Sequence, residues 1–289
     1  MTFNDDANVK GGRVSRRGKA GIAIGGGGGL LVLAVVLIGA FTGVDLSPLL
    51  GGGVGGGGNE PGTPLTECQN AEDANEQTSC RMEAGATVLD DYWTAHVTGY
   101  VQPQVILFTD STNTGCGGAT SAVGPFYCPP DQTIYLDETF FALLKDQLGG
   151  SDAALAQLYV LGHEWGHHIQ NITGGMEGLD LQNTGPDSDG VRLELQADCY
   201  AGAWIGDAEK QTDENGVPYF EPITDQQIAD ALSAASAVGD DHIQETTSGQ
   251  VQPETWTHGS SEQRQRWFTT GRNGSPESCD TFSVPGNQL

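Results

Sequence analysis

Residues 151–175 constrain the fold more tightly than any other part of this 289-residue chain. Leu155, Leu158, Gly162, Trp165, Ile169 and Ile172 recur at spacings of three and four, an apolar stripe at helical period. Ser151 stands before the run as an N-cap and Gly174-Gly175 follow it as a stop, which predicts a helix over 152–173. Opposite the stripe stand His163 and His167, four residues apart and so about 40° apart in heading. A helix that is apolar on one side and carries two imidazoles on the other must lie inside a domain that answers both faces. Two imidazoles so placed can share one zinc ion. Glu164, about 60° further round the axis, has the reach to meet a water on that metal. His168 heads about 100° away from His167 and is not expected to ligate the same ion. His96, beside Tyr92 and Trp93, reads as a packed histidine.

Three protein ligands and an open position make a catalytic zinc site, so a third ligand is required. Arg192-Leu193-Glu194-Leu195-Gln196-Ala197-Asp198-Cys199 supplies two candidates. Glu194 and Asp198 are four apart on one helix face, and Leu193, Ala197, Tyr200 and Trp204 form an apolar stripe beside them. Carboxylates on such a helix need a buried partner, because unpaired buried charge is expensive. Glu194 is read as the third ligand, with Asp198 hydrogen-bonded to the far ring nitrogen of His163 or His167. The exchanged assignment, Asp198 as ligand and Glu194 as orienter, stays open.

Further helices are expected at 72–96, 138–148, 189–210, 225–238 (with a Thr224–Gln227 capping box) and 261–271. Strands are expected at 105–109 and 133–136. The fold class is therefore α+β, mostly helical with a small sheet, over residues 67–289. Asp187-Ser188-Asp189-Gly190 reads as the turn that starts a helix rather than a calcium loop. The six cysteines contain no C-x-x-C, which argues against a four-cysteine zinc site. The simplest pairing is Cys68–Cys80, Cys116–Cys128 and Cys199–Cys279.

The N-terminal quarter has a different composition. Residues 20–41 carry no charge, and at 1.5 Å per residue they reach roughly 33 Å, enough for a transmembrane helix. Before them, residues 1–19 hold five of the twelve basic residues, and by the positive-inside rule they form a cytoplasmic tail. A cleaved signal peptide competes with this reading, but no A-x-A-like site follows Phe41. Residues 42–66, rich in Gly and Pro, read as a linker. The expected location is the cell membrane, single-pass, with the domain outside the cytoplasm, where disulfides persist. Its partners are then the lipid bilayer through 20–41 and a peptide or protein substrate. The net charge of −26 leaves the folded part strongly acidic, which excludes a nucleic-acid partner.

His163-Glu164-Trp165-Gly166-His167-His168, followed by Glu194-Leu195-Gln196-Ala197-Asp198-Cys199-Tyr200-Ala201-Gly202, resembles the neutral zinc metallopeptidase family of bacterial membrane-anchored proteins. Gly124-Pro125-Phe126-Tyr127-Cys128-Pro129, Ile134-Tyr135-Leu136-Asp137 and His258-Gly259-Ser260-Ser261-Glu262-Gln263-Arg264 match its pattern too, and the resemblance covers about 67–282. It implies a zincin-like fold with one Zn2+ at His163, His167 and Glu194, and a peptide laid along the 133–136 strand. Chemically, Glu164 would be the general base toward a zinc-bound water. A second oxyanion donor is needed; His258 is preferred over His242, Tyr219 and Tyr200, although His258 could instead cap the helix at Ser261 or pack near Trp256. The resulting expectation is a membrane-tethered zinc peptidase. The rivals are an inactive zinc-site protein serving as a cell-envelope scaffold, and a zinc amidase acting on peptidoglycan peptides.

Overall fold

A computed structural model describes residues 2–18 and 62–289. The membrane helix expected over 20–41, and the linker up to residue 61, lie outside the described residues. Among the described residues no helix is long and apolar enough to cross a membrane.

In chain order the elements are β1 (Val14–Arg16), β2 (Thr63–Pro64), α1 (Ala71–Glu76), α2 (Thr78–His96), β3 (Gln104–Phe108), β4 (Ser111–Thr114), β5 (Gly117–Thr120), β6 (Phe126–Cys128), β7 (Thr133–Asp137), α3 (Phe140–Asp146), α4 (Ala154–Ile172), α5 (Asp189–Asp207), α6 (Asp225–Ala237), α7 (Asp240–Ser248) and α8 (Ser261–Asn273). This is the expected α+β class. A mixed five-stranded sheet runs in the order β2-β1-β3-β7-β6, and β4 with β5 makes a separate hairpin. β1, β3 and β7 are parallel, while β2 and β6 pair antiparallel at the two ends.

Three differences from the sequence reading matter. The helix expected over 72–96 is two helices, broken at the extended residue Gln77 (φ −114°, ψ 131°). There Arg81 Nη2 takes the carbonyl of Asn75 at 2.6 Å. The strand expected at 133–136 is β7, but it is interior, and the sheet edge beside α4 is β6. Residues 1–19, expected as a separate tail, belong to the folded body from Thr2 to Gly18: β1 is a strand of its sheet, and Phe3, Val9 and Val14 are buried. The boundary drawn at residue 67 likewise fails to separate the body from what precedes it.

The core is centred on α4. Leu155, Leu158, Trp165 and Ile169 are all buried, and α4 packs on α2, α5 and α6. Small residues let its neighbours come close. A Cβ on Gly166 would stand 3.0 Å from Ala197 Cα, and one on Gly271 would fall 1.9 Å from Cys199 O. The backbones of α4 and α5 therefore meet at Gly166/Ala197, and those of α5 and α8 at Cys199/Gly271. All three expected disulfides are present, and Cys199–Cys279 ties α5 to the C-terminal segment. The Thr224–Gln227 capping box opens α6 as expected, but Ser151 Oγ accepts from Ala153 N instead of capping α4.

Candidate metal centre

Close contact at Gly166/Ala197 brings the two polar faces of α4 and α5 together. Glu194 faces both His163 and His167, and Asp198, next to Ala197, faces His163. His163 Nε2 lies 3.1 Å from Glu194 Oε2, and His167 Nε2 lies 3.4 Å from Glu194 Oε1. One donor atom from each of His163, His167 and Glu194 falls within 4.8 Å of the others, and all three residues are buried. This is the only such group among the described residues. It is the triad the sequence pointed to, with Glu194 rather than Asp198 on the ligand side.

The tautomers follow from the partners. Asp198, ionised, can only accept, so His163 Nδ1 donates to its Oδ1 at 2.8 Å and leaves Nε2 with a lone pair. Gln170 does the same for His167. Its Nε2 donates to Leu193 O at 2.7 Å, which turns Oε1 toward His167 Nδ1 at 2.8 Å. Both imidazoles therefore present unprotonated Nε2 atoms toward one carboxylate, a donor set suited to zinc. Without an ion, the same closeness favours a proton on the ring. Burial opposes charge on His163, but Asp198 and Glu194 outweigh it and push its pKa up to about 10. Burial likewise raises Glu194, and His167, His258 and His163 outweigh it, holding the carboxylate well below its ordinary range.

Glu164 is buried on the same cavity, and burial, only partly offset by His163 and His167, raises its pKa. Its Oε2 makes no hydrogen bond among the described residues. A buried carboxylate oxygen left without a partner beside three metal-type donors is what a metal-bound water would satisfy. The residues present fit a zinc ion.

Asp198 is held from four directions. It accepts from His163, from Tyr159 OH at 2.5 Å, and from Arg264 through Nε at 2.7 Å and Nη2 at 2.9 Å. Burial raises its pKa, but Arg264 and His163 outweigh that and bring it to about 2. Arg264 also donates to Val238 O at 3.1 Å, tying the end of α6 to the site. Sequence reasoning placed Arg264 in a motif without giving it a task, and it missed Tyr159 and Gln170. Their signal was present: Tyr159 is one helical turn before His163, and Gln170 lies three residues after His167.

Among the oxyanion candidates, only His258 lines the cavity. Its loop is gripped by Asp240 Oδ2, which accepts from the amides of Thr257, His258 and Gly259 at 2.7–3.0 Å. Burial opposes protonation of His258, but Glu194 and Asp240 outweigh it and raise its pKa. His242 instead meets Leu148 O at 2.8 Å, Tyr219 donates to Asp91, and Tyr200 packs on Trp93. His168 stays out of the cluster. Its Nε2 donates to Val101 O at 2.5 Å and its Nδ1 faces Tyr127 OH, which pins β6 to α4; burial lowers its pKa to about 4.

The cavity over the cluster measures about 60 Å³. Val123, Gly124, Pro125, Phe140, Leu148, Val160 and Val238 give it an apolar wall. Gly124 sits at φ 78°, a left-handed conformation that favours glycine, and turns the chain from the wall into β6. Asp137 anchors that turn through Ser121 Oγ and receives Thr139 N at 2.8 Å.

The family described as "Putative neutral zinc metallopeptidase" matches residues 2–282. An uncharacterized protein of Mycobacterium tuberculosis strain H37Rv, Rv2575, is 49% identical over 226 residues, covering 78% of this chain and 77% of the relative. The uncharacterized protein YpfJ of Escherichia coli K12 is 36% identical over 270 residues, covering 89% and 87%. No solved structure matches.

Proposed function

The chain belongs to the neutral zinc metallopeptidase family, and from that premise we propose that it is a zinc-dependent peptidase with His163, His167 and Glu194 as ligands and Glu164 as general base. One observation carries the reading: Glu164 Oε2, buried and unpartnered among the described residues, shares a cavity with three converging metal donors. Bound zinc would acidify a water and polarise a scissile carbonyl. Glu164, its pKa raised by burial, is the group that would take a proton from the attacking water and pass it to the leaving amine. His258, whose protonated form Glu194 and Asp240 favour, would donate toward the developing oxyanion. Asp198 and Gln170 hold the two imidazoles in the tautomer that binds.

β6 is the end strand of its sheet and follows directly on Gly124 and Pro125 of the cavity wall. An apolar side chain of a bound peptide would enter the wall of Val123, Phe140 and Val160. Structural zinc sites ordinarily carry four protein ligands, and three donors converge here, which supports a hydrolytic over a scaffolding role.

The test is metal content and peptide hydrolysis in two variants. Glu164→Gln should retain one zinc per chain and lose roughly 10²–10⁴-fold in rate. His167→Ala should lose the zinc. Undiminished hydrolysis by Glu164→Gln would refute the assigned base.

A further inference from the structure

We infer that residues 2–18 and the metal-bearing body lie on the same side of any bilayer that residues 20–41 enter. The ground is the way the N-terminal segment is built into the body. β1 runs parallel to β3 with Val14, Ser15 and Arg16 opposite Val105, Ile106 and Leu107. Its other side is the partner of β2, with Arg16 opposite Thr63. Hydrogen-bonded neighbours in a sheet stand about 5 Å apart and cannot be parted by a hydrocarbon layer of about 30 Å.

Docking is specific along the whole segment. Phe3 packs on Phe220, and Asn75 both accepts from Phe3 N and donates to Phe3 O. The buried carboxylate of Glu83 accepts from the amides of Arg13 and Val14 at 2.8 and 2.7 Å. Gly11 passes so close to α2 that a Cβ there would fall 2.3 Å from Thr87 Oγ1. Removing the segment to another compartment would leave Glu83 without these donors and uncover β3.

Four of the five basic residues that suggest a cytoplasmic tail have partners in the body. Lys10 Nζ donates to Gln69 and Arg13 pairs with Asp90, each at 2.7 Å. Arg16 pairs with Glu67, and Arg17 donates to Asn113 O. Their charge complements an acidic body, so it does not by itself set orientation across a membrane. The chain departs after Gly18 and returns at Gly62, at the same β1–β2 pair. A second crossing is not available on the way back, because 42–61 is short of the apolar length and contains Asp45, Asn59 and Glu60.

Two measurements on the full chain test this. By hydrogen exchange, the peptide covering 13–18 should be protected on the order of 100-fold or more over an unstructured reference. Random-coil exchange there overturns the docking. For sidedness, Asp6→Cys and Val101→Cys, both at exposed positions, are treated in cells with a membrane-impermeant maleimide before and after permeabilisation, and the modified residue is located by mass spectrometry. The two sites should behave alike, both modified before or both only after. Opposite behaviour overturns the inference, as does recovery of a mature chain that lacks residues 2–18.

Discussion

Arg264→Met isolates the least expected part of the metal centre. Arg264 and Asp198 have side chains 3% and 0% exposed, joined by two hydrogen bonds of 2.7 and 2.9 Å. Removing one partner of such a pair leaves an uncompensated buried charge and costs about 3–5 kcal/mol. In a body of this size each kcal/mol lowers the melting temperature by about 2–4 °C, so a drop of roughly 6–20 °C is expected. The acid limb moves as well. Burial raises Asp198, but Arg264 and His163 outweigh it and set its pKa at about 2. A depressed carboxylate contributes stability above its unfolded pKa and loses it as pH falls through the folded one. Without Arg264 that loss begins at higher pH. Asp198 also fixes the His163 tautomer, so its reorientation should weaken zinc binding by about 10–100-fold. Arg264→Lys keeps the charge but not the two-pronged geometry, and should fall between the two. The assays are thermal melts of the zinc-free chain from pH 3 to 8, and zinc competition against a chelator. A Met variant melting within 2 °C of the parent, with unchanged zinc affinity, would refute the role given to this pair.

Three further outcomes are expected. Gly166→Val places a side chain against the backbone of Ala197, and overpacking of this kind costs about 1–3 kcal/mol; because the wedge lies between the two ligand helices, zinc affinity measured by competition should fall with the melting temperature. His258→Gln should keep zinc content while lowering hydrolysis by about 10²–10³-fold. In the parent, activity should decline as pH rises through the raised pKa of His258, since the donor is then lost, and a pH–rate profile of the variant should lack that limb. Replacing Cys199 and Cys279 together by Ser opens a link of sequence separation 80 and should cost about 4–5 kcal/mol, read as the shift in urea midpoint.

The ligand set was legible because helices write their faces into sequence. His163 and His167, and then Glu194 and Asp198, are each four apart, so a shared face follows without knowing the fold. That the two faces meet could only be guessed from apolar stripes. The physical reason they meet, small residues at Gly166 and Ala197, becomes plain once the helices are seen to cross there. Arg264 was harder, since it stands 66 positions from Asp198, and nothing local distinguishes a buried arginine from a solvated one. Strand order was illegible for a related reason. Phe126–Cys128 is three residues long, too short for a period of two to register, whereas the 133–136 run carries a clear strand signal that says nothing of its place in the sheet.

The N-terminal segment shows how one local signal admits two readings. Five basic residues next to an uncharged run satisfy the pattern of a cytoplasmic flank. Four of them, Lys10, Arg13, Arg16 and Arg17, also find partners on an acidic body, and the deciding partners, Glu83 and Asp90, lie some 70 positions away. The apolar residues of that stretch support docking on the body. Phe3, Val9 and Val14 alternate with polar neighbours too irregularly to predict a strand, yet each is buried. A solvated tail has no use for three isolated apolar side chains. A strap that meets a preformed surface at three points needs just that spacing. Isolated apolar residues within a short basic flank are therefore a reason to look for a docking surface on the folded part before orientation is assigned from charge.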